Sequence, residues 1–175
     1  TRKTELWKYT SVQALQQPFA APAANNDAHV ALLAQVPEIG AGRMVFVNGH
    51  FSAGLSDQFE DVCCVRFVDA DAQQSARITE YLGTTLPAAG HPFLALNQAA
   101  MTDGVLIDIA DNAQLEKPIQ LVWLTTGGDH AFSVNPRVLL LAGANSCASV
   151  VEHFADDSPQ ASFTNAVTEV VVGAG

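Results

Sequence analysis

Residues 135–154 read NPRVLLLAGANSCASVVEHF, and the order of residue types in this stretch decides the fold class. An apolar run over 138–142 meets Gly143-Ala144-Asn145-Ser146, and a second apolar run over 148–154 follows at once. Bulky and β-branched residues bounded by Gly, Asn and Ser spell strand, turn, strand. Working outward, Val105–Ile109, Ile119–Leu124 and Val167–Val172 repeat the pattern between Gly, Pro, Asn and Asp breakers. Alternation of Val105, Ile107 and Ile109 with Asp108 gives one buried and one wet face, because successive strand side chains point to opposite sides. The unbroken run Val138-Leu139-Leu140-Leu141 predicts cover on both faces. Run centres near 107, 121, 140, 151 and 170 fit successive rungs of a coiled sheet, and fit a sandwich of antiparallel hairpins equally well.

Composition narrows the function classes. The 175 residues are 49% hydrophobic and 15% charged, enough for one sizeable core and a smaller satellite unit. Eighteen acidic against eight basic residues leave a net charge of −10, which repels a phosphate backbone, so nucleic acid is not an expected partner. No apolar run approaches the roughly 18 residues that predict a membrane span, and TRKTELWKYT lacks the apolar centre of a signal peptide. A cytoplasmic protein is expected. Three cysteines, two of them adjacent, do not make a disulfide framework and agree with a reducing compartment. A start at Thr1 and a stop just after a strong strand suggest a piece of something longer.

The earlier part of the chain reads as a mixed α/β unit over residues 1–89. Trp7 and Tyr9 are expected to clasp the terminus onto the body, with Thr4 or Ser11 capping a short helix. Residues 16–26 form a loop, after which Asn26 or Asp27 caps a helix over 28–35 that Pro37 and Gly40 end. Gly40-Ala41-Gly42 precedes a strand instead of joining strand to helix, the wrong context for a dinucleotide site. Asn48-Gly49 between apolar runs is a strong hairpin signal. A strand over 62–68 and a helix over 69–82 closed by Gly83 complete the unit. Pro and Gly within 87–92 mark the boundary, and residues 90–175 form the β-rich second unit, entered through a helix over 93–103.

Residues that invite chemistry have structural readings. Cys63 and Cys64 fall on alternate sides of a strand and cannot chelate one metal as a C-x₂-C loop does. Cys147 is a lone thiol after a turn, and single thiolates do not hold iron–sulfur clusters. Glu152 and His153 are strand neighbours and point apart, which defeats an acid–base pair. His29, His50, His91 and His130 are scattered, Gly127-Gly128-Asp129 is a turn, and no Ser-His-Asp or nucleophile-elbow pattern is present. No catalytic, cofactor-binding or metal-binding residue is assigned, and the chain is expected not to be an enzyme.

The string Arg2-Lys3-Thr4-Glu5-Leu6-Trp7-Lys8-Tyr9-Thr10, followed in order by FVNGHF, FLALN, DGVLIDI, LEKPIQL, NPRVLLLAGANS, VVEHF and FTNAVTEV, resembles the SufB/SufD family of iron–sulfur cluster assembly proteins. The RKxExWKYT start favours the SufD type, and Phe154 departs from a position where the family often has Tyr. The resemblance implies an N-terminal helical domain followed by a right-handed parallel β-helix. Only the first rungs of that β-helix, after a small mixed α/β domain, would lie in this chain. It further implies a non-catalytic scaffold of the SufBCD complex that pairs with SufB-like and SufC-like subunits and handles an iron–sulfur cluster as cargo. The cluster-building and SufC-gripping residues of the family lie beyond the matched segments, so none is carried over. A β-helical carbohydrate-active enzyme or another β-rich binding domain is the alternative; the enzyme needs carboxylates clustered along one sheet face. An open-ended stack would also leave residues 163–173 free to pair with a second copy.

Overall fold

Residues 12–22, 30–40, 42–60, 62–86 and 90–174 are described by the computed structural model. The clasp of Trp7 and Tyr9 and the caps at Thr4, Ser11, Asn26 and Asp27 lie outside the described residues, as does part of the boundary at 87–92. Helix α1 is the short turn Val30–Leu33. Strand β1 (Gly42–Val47) runs into Asn48 and Gly49, whose φ angles of 52° and 81° are the left-handed pair that a two-residue hairpin demands. The chain returns as β2 (His50–Phe51) with Phe46 opposite Phe51. After β3 (Cys63–Arg66), helix α2 (Ala72–Tyr81) is started by Asp71, whose carboxylate accepts from the Gln74 N–H while the Gln74 side chain accepts from the Asp71 N–H. This reciprocal capping satisfies two donors that a helix start otherwise leaves bare. Gly83, at φ 79°, closes the helix. Helix α3 (Pro92–Ala100) opens on proline, at a position where no N–H is needed.

The remaining strands are β4 (Val105–Ile109), β5 (Ile119–Thr125), β6 (Phe132–Val134), β7 (Arg137–Ala142), β8 (Val150–Asp156), β9 (Ser162–Thr164) and β10 (Val167–Val172). They pair only in parallel among themselves: β4 with β7, β7 with β10, β5 with β8, and β6 with β9. Val105 faces Val138, Val138 faces Thr168, Ile119 faces Val150 and Phe132 faces Ser162, a period of roughly 30 residues of the kind that stacked repeats produce. Strands β7 and β8, neighbours in sequence, therefore lie in different sheets, and the Gly143–Ser146 turn carries the chain from one to the other. The sandwich of antiparallel hairpins is excluded. Strands from before residue 89 join the same sheets, β1 parallel to β5 and β3 antiparallel to β4. The result is a mainly β molecule with sheet orders β2-β1-β5-β8, β10-β7-β4-β3 and β6-β9.

Register places like on like. One row of inward side chains is Phe46, Trp123 and Phe154, with ring centroids 4.3 Å and 6.4 Å apart. Opposite it, Ile107 and Val138 are sealed in the same core as Leu121 and Ile119. Outer faces are covered in turn: Leu32 and Val36 lie over Val45, Val47, Val122 and Leu124, while Ile78, Tyr81 and Leu82 of the α2 region lie over Leu106, Leu139 and Leu141. Stacked turns require close backbone approach. A Cβ on Gly143 would sit 2.5 Å from the Asp111 nitrogen. Asn112 and Asn145, both left-handed, are joined side chain to side chain at 3.4 Å, and Asn135 and Asn165 are joined at 3.2 Å one corner away.

A buried polar clamp fastens the helices to the sheet. The Arg137 side chain, 1% exposed, donates to Glu169 and to Asn97 Oδ1. Glu169 also accepts from the Gly83 N–H and the Thr85 hydroxyl, and Asn97 donates to the carbonyls of Pro136 and Asn165. Burial works against the Glu169 charge, but hydrogen bonds from Thr85 and Gly83 and the nearby Arg137 guanidinium outweigh it and hold the carboxyl below its usual 4.5. Because the folded value is the lower one, the stabilisation is fully present above pH 4.5 and is lost as pH falls from there through the folded value.

Two outcomes follow from this architecture. Gly143→Ala should cost about 1–3 kcal/mol in a urea denaturation series, since the added methyl meets the backbone of Asp111 and Ala110 as well as the Asp111 carboxylate, and the backbone cannot step aside. Glu169→Gln should cost about 3–5 kcal/mol at neutral pH by leaving Arg137 buried without a counter-charge. The gap between Glu169→Gln and the unaltered chain should narrow in the same assay as the pH is taken below 4.5. A pH-independent gap would assign the loss to packing instead.

Candidate functional site

The residues that invite chemistry do not converge. Cys63 and Cys64 lie on β3, at the far edge of its sheet from β10, and they point apart: Cys64 packs against the Met44–Ile107 core and Cys63 against Leu106. Burial pushes the Cys64 thiol up to about 12 and raises that of Cys63 as well, so both are protonated at neutral pH and poor metal ligands. Cys147 is exposed in the turn before β8. Its backbone is tied to the preceding turn through Ala113 and Leu115. His50, His91, His130 and His153 occupy β2, the entry to α3, the loop before β6 and β8, while His29 lies outside the described residues. Among the described residues, no group of three or more His, Cys, Asp and Glu side chains gathers to hold a metal.

What the fold does assemble is an open edge. Strands β8, β9 and β10 are each the last member of a parallel stack. Between β8 on one side and β7 and β10 on the other lies a cleft of about 580 Å³ lined by inward residues, among them Leu140, Val150, Glu152, Val170 and Val172. Burial falls away toward this edge: Val138 is 1% exposed, whereas Val170 and Val172 are 50% and 71% exposed. Glu152 is the carboxylate of the cleft, accepting from the Trp123 indole N–H at 3.1 Å and from the Thr168 hydroxyl. It thereby links β5, β8 and β10 across the core. His153 follows Val45 and Val122 on the opposite face of the strand, as alternation requires. Alternation also signalled that Glu152 and His153 part, but the partner of Glu152 depended on a parallel register that no local pattern encodes.

A second hollow of about 560 Å³ lies beside the Asn48-Gly49 turn, walled by Phe19, Phe46, Phe93, Trp123 and Phe163. Of its polar lining, Asn48 is committed: it donates to the Thr126 carbonyl and accepts from the Thr126 N–H. The walls of the hollow are mainly apolar. No helix among the described residues is long and apolar enough to cross a membrane.

Comparison with known proteins adds the lineage. Residues 1–121 match the model of the SufBD protein N-terminal region. Over 185 aligned positions the chain is 29% identical to an iron-sulfur cluster assembly SufBD family protein of Synechocystis sp., an alignment that takes in 98% of this chain and 41% of that relative. The chain thus spans about two fifths of the length of the curated relative it matches. Its parallel strand pairs and the family match across most of its length lead to one conclusion: the chain belongs to the SufBD family, through that family's N-terminal region.

Proposed function

We propose that this chain is the leading part of a SufD-type scaffold subunit in iron–sulfur cluster assembly, non-catalytic by itself and acting in the cytoplasm. Family membership is the observation that carries the role in cluster assembly. The SufD type rests on the RKxExWKYT start. On this reading the three parallel stacks are the first turns of a right-handed parallel β-helix. The stacked Asn112–Asn145 and Asn135–Asn165 pairs and the period of roughly 30 residues support it, and right-handed crossovers between parallel strands are the general rule. SufB-like and SufC-like subunits are the partners in the whole protein, and the cluster is its cargo, not a resident cofactor of these residues. The division into units 1–89 and 90–175 is kept as part of the same proposal, with β1 and β3 as the strands by which the first seats on the second.

A carbohydrate-active enzyme is disfavoured by the placement of carboxylates. Glu152 is bound to Trp123 and Thr168, Glu169 is locked to Arg137, and Asp108 pairs with Arg77 at 2.6 Å. Two free carboxylates across a groove, which glycoside hydrolysis needs, do not arise from these three.

The experiment that tests the scaffold reading is co-expression of the whole protein with SufB-like and SufC-like subunits, followed by affinity capture and iron and sulfide analysis. A stable ternary complex with cluster iron is expected, and a subunit that is captured alone and turns over a substrate would overturn it. The 175-residue chain by itself should stay colourless after anaerobic incubation with iron and sulfide and desalting, because its cysteines lack cluster spacing. It should also self-associate through β10, whose outer edge is unpaired. Val171 packs under the α2 cluster whereas Val172 is 71% exposed, so Val172→Lys is the informative variant. Light scattering should show the oligomer lost in Val172→Lys; a monomer in both forms would place an internal partner on β10.

A further inference from the structure

The end of β1 is closed by a side chain. Residues 42–47 pair in parallel with 119–124, and Asn48, where the chain turns away, donates its backbone N–H to the Leu124 carbonyl. Its side-chain amide then carries the ladder one step further. Nδ2 donates to the Thr126 carbonyl at 3.0 Å, and Oδ1 accepts from the Thr126 N–H at 2.9 Å. A side-chain amide can make that pair because it offers a donor and an acceptor together, as a peptide group does. Asn48 is 4% exposed and Thr126 5%. Asn48 is also the one asparagine of the chain that is followed by glycine. The turn asks for that glycine through its φ of 81° and not through lack of room, since a Cβ on Gly49 would meet its nearest atoms at 3.9 Å.

A glycine in that place leaves its nitrogen sterically open to the preceding side chain. Attack of the Gly49 nitrogen on the Asn48 Cγ expels ammonia and closes a succinimide ring. Water then opens the ring to aspartate or, through the other carbonyl, to isoaspartate, and no oxidant or reductant takes part. Closing that ring swings the side-chain carbonyl back onto its own backbone, so both bonds to Thr126 have to break first. We propose that Asn48 is a modification site gated by the fold, sealed while β1 lies zipped to β5 and converted once the hairpin opens, and that the product cannot reseal the turn. An aspartate at 48 keeps an acceptor for the Thr126 N–H, but it turns a charged oxygen toward the Thr126 carbonyl where the amide had donated. Isoaspartate lengthens the main chain by one carbon inside a two-residue turn and shifts β2 against β1. Opening of the hairpin thus leaves a covalent record that grows with the time spent open. The inference stands on this turn alone and does not depend on the scaffold role.

The test holds the 175-residue chain at mildly alkaline pH, in buffer and in denaturing urea, and follows asparagine conversion by peptide mapping that separates aspartate from isoaspartate. Asn145, exposed and followed by Ser146, is the internal reference. Asn48 should convert at least about tenfold more slowly in buffer than in urea, while Asn145 changes by less than about threefold, because a sealed site reacts only through local opening. Gly49→Asn keeps a residue that tolerates positive φ, and in it the conversion of Asn48 in urea should fall to the rate of Asn145. Asn48→Asp, expressed directly, supplies one product without a refolding step. Its Thr126 amide should exchange with solvent at least about tenfold faster than in the unaltered chain. Asn48 converting as fast in buffer as in urea would overturn the proposal. An undiminished rate in Gly49→Asn, or equal protection of the Thr126 amide in Asn48→Asp, would overturn it as well.

Discussion

In a parallel stack with a period of roughly 30 residues, each strand lies on one that carries the same face inward, so a residue's surroundings are set mainly by its counterparts one turn away. That constraint explains the sealed pair Val105–Val138 and the aromatic row Phe46–Trp123–Phe154 alike. It also explains where the stack tolerates polarity. Arg137 and Glu169 sit on the outer face of their sheet, beneath α3 and the end of α2, where the loop at Gly83 and Thr85 and the Asn97 amide complete their hydrogen bonds. Inside the stack, by contrast, Glu152 stands at the edge, where water still reaches it.

The sequence was legible where a short segment settles its own conformation. Asn48-Gly49 announced its hairpin because both residues accept positive φ, and the structure has them at 52° and 81°. The helix ending at Gly83 was equally plain, though it begins at Ala72, capped by Asp71, and not at position 69. Strand positions 105–109 and 167–172 coincide with β4 and β10. What pattern alone left undecided was pairing: strand-turn-strand over 135–154 suits a hairpin and a step between sheets equally. The deciding information is long-range, since Val138 pairs with Val105 and Thr168 and not with anything in its own turn.

The open cleft was invisible for a related reason. Glu152 could be separated from His153 by alternation, yet its bonds to Trp123 and Thr168 reach 29 positions back to the neighbouring strand and 16 positions on to a strand of the other sheet. The clamp was likewise hidden, because Arg137 and Glu169 are separated by 32 positions and Asn97 lies on a helix between neither. Family resemblance supplied what local chemistry could not, and it did so through segments that the structure turns into strands and corners.

The parallel order of β4, β7 and β10 also has a temporal side. Each of these strands docks on one made shortly before it, so the stack can lengthen while the polypeptide is still emerging from the ribosome. At about 5–20 residues per second, a turn of roughly 30 residues takes about 2–6 s to be synthesised. Closing a short loop takes well under a millisecond and β-hairpins form within about 10 μs, so each turn has ample time to settle before the next is complete.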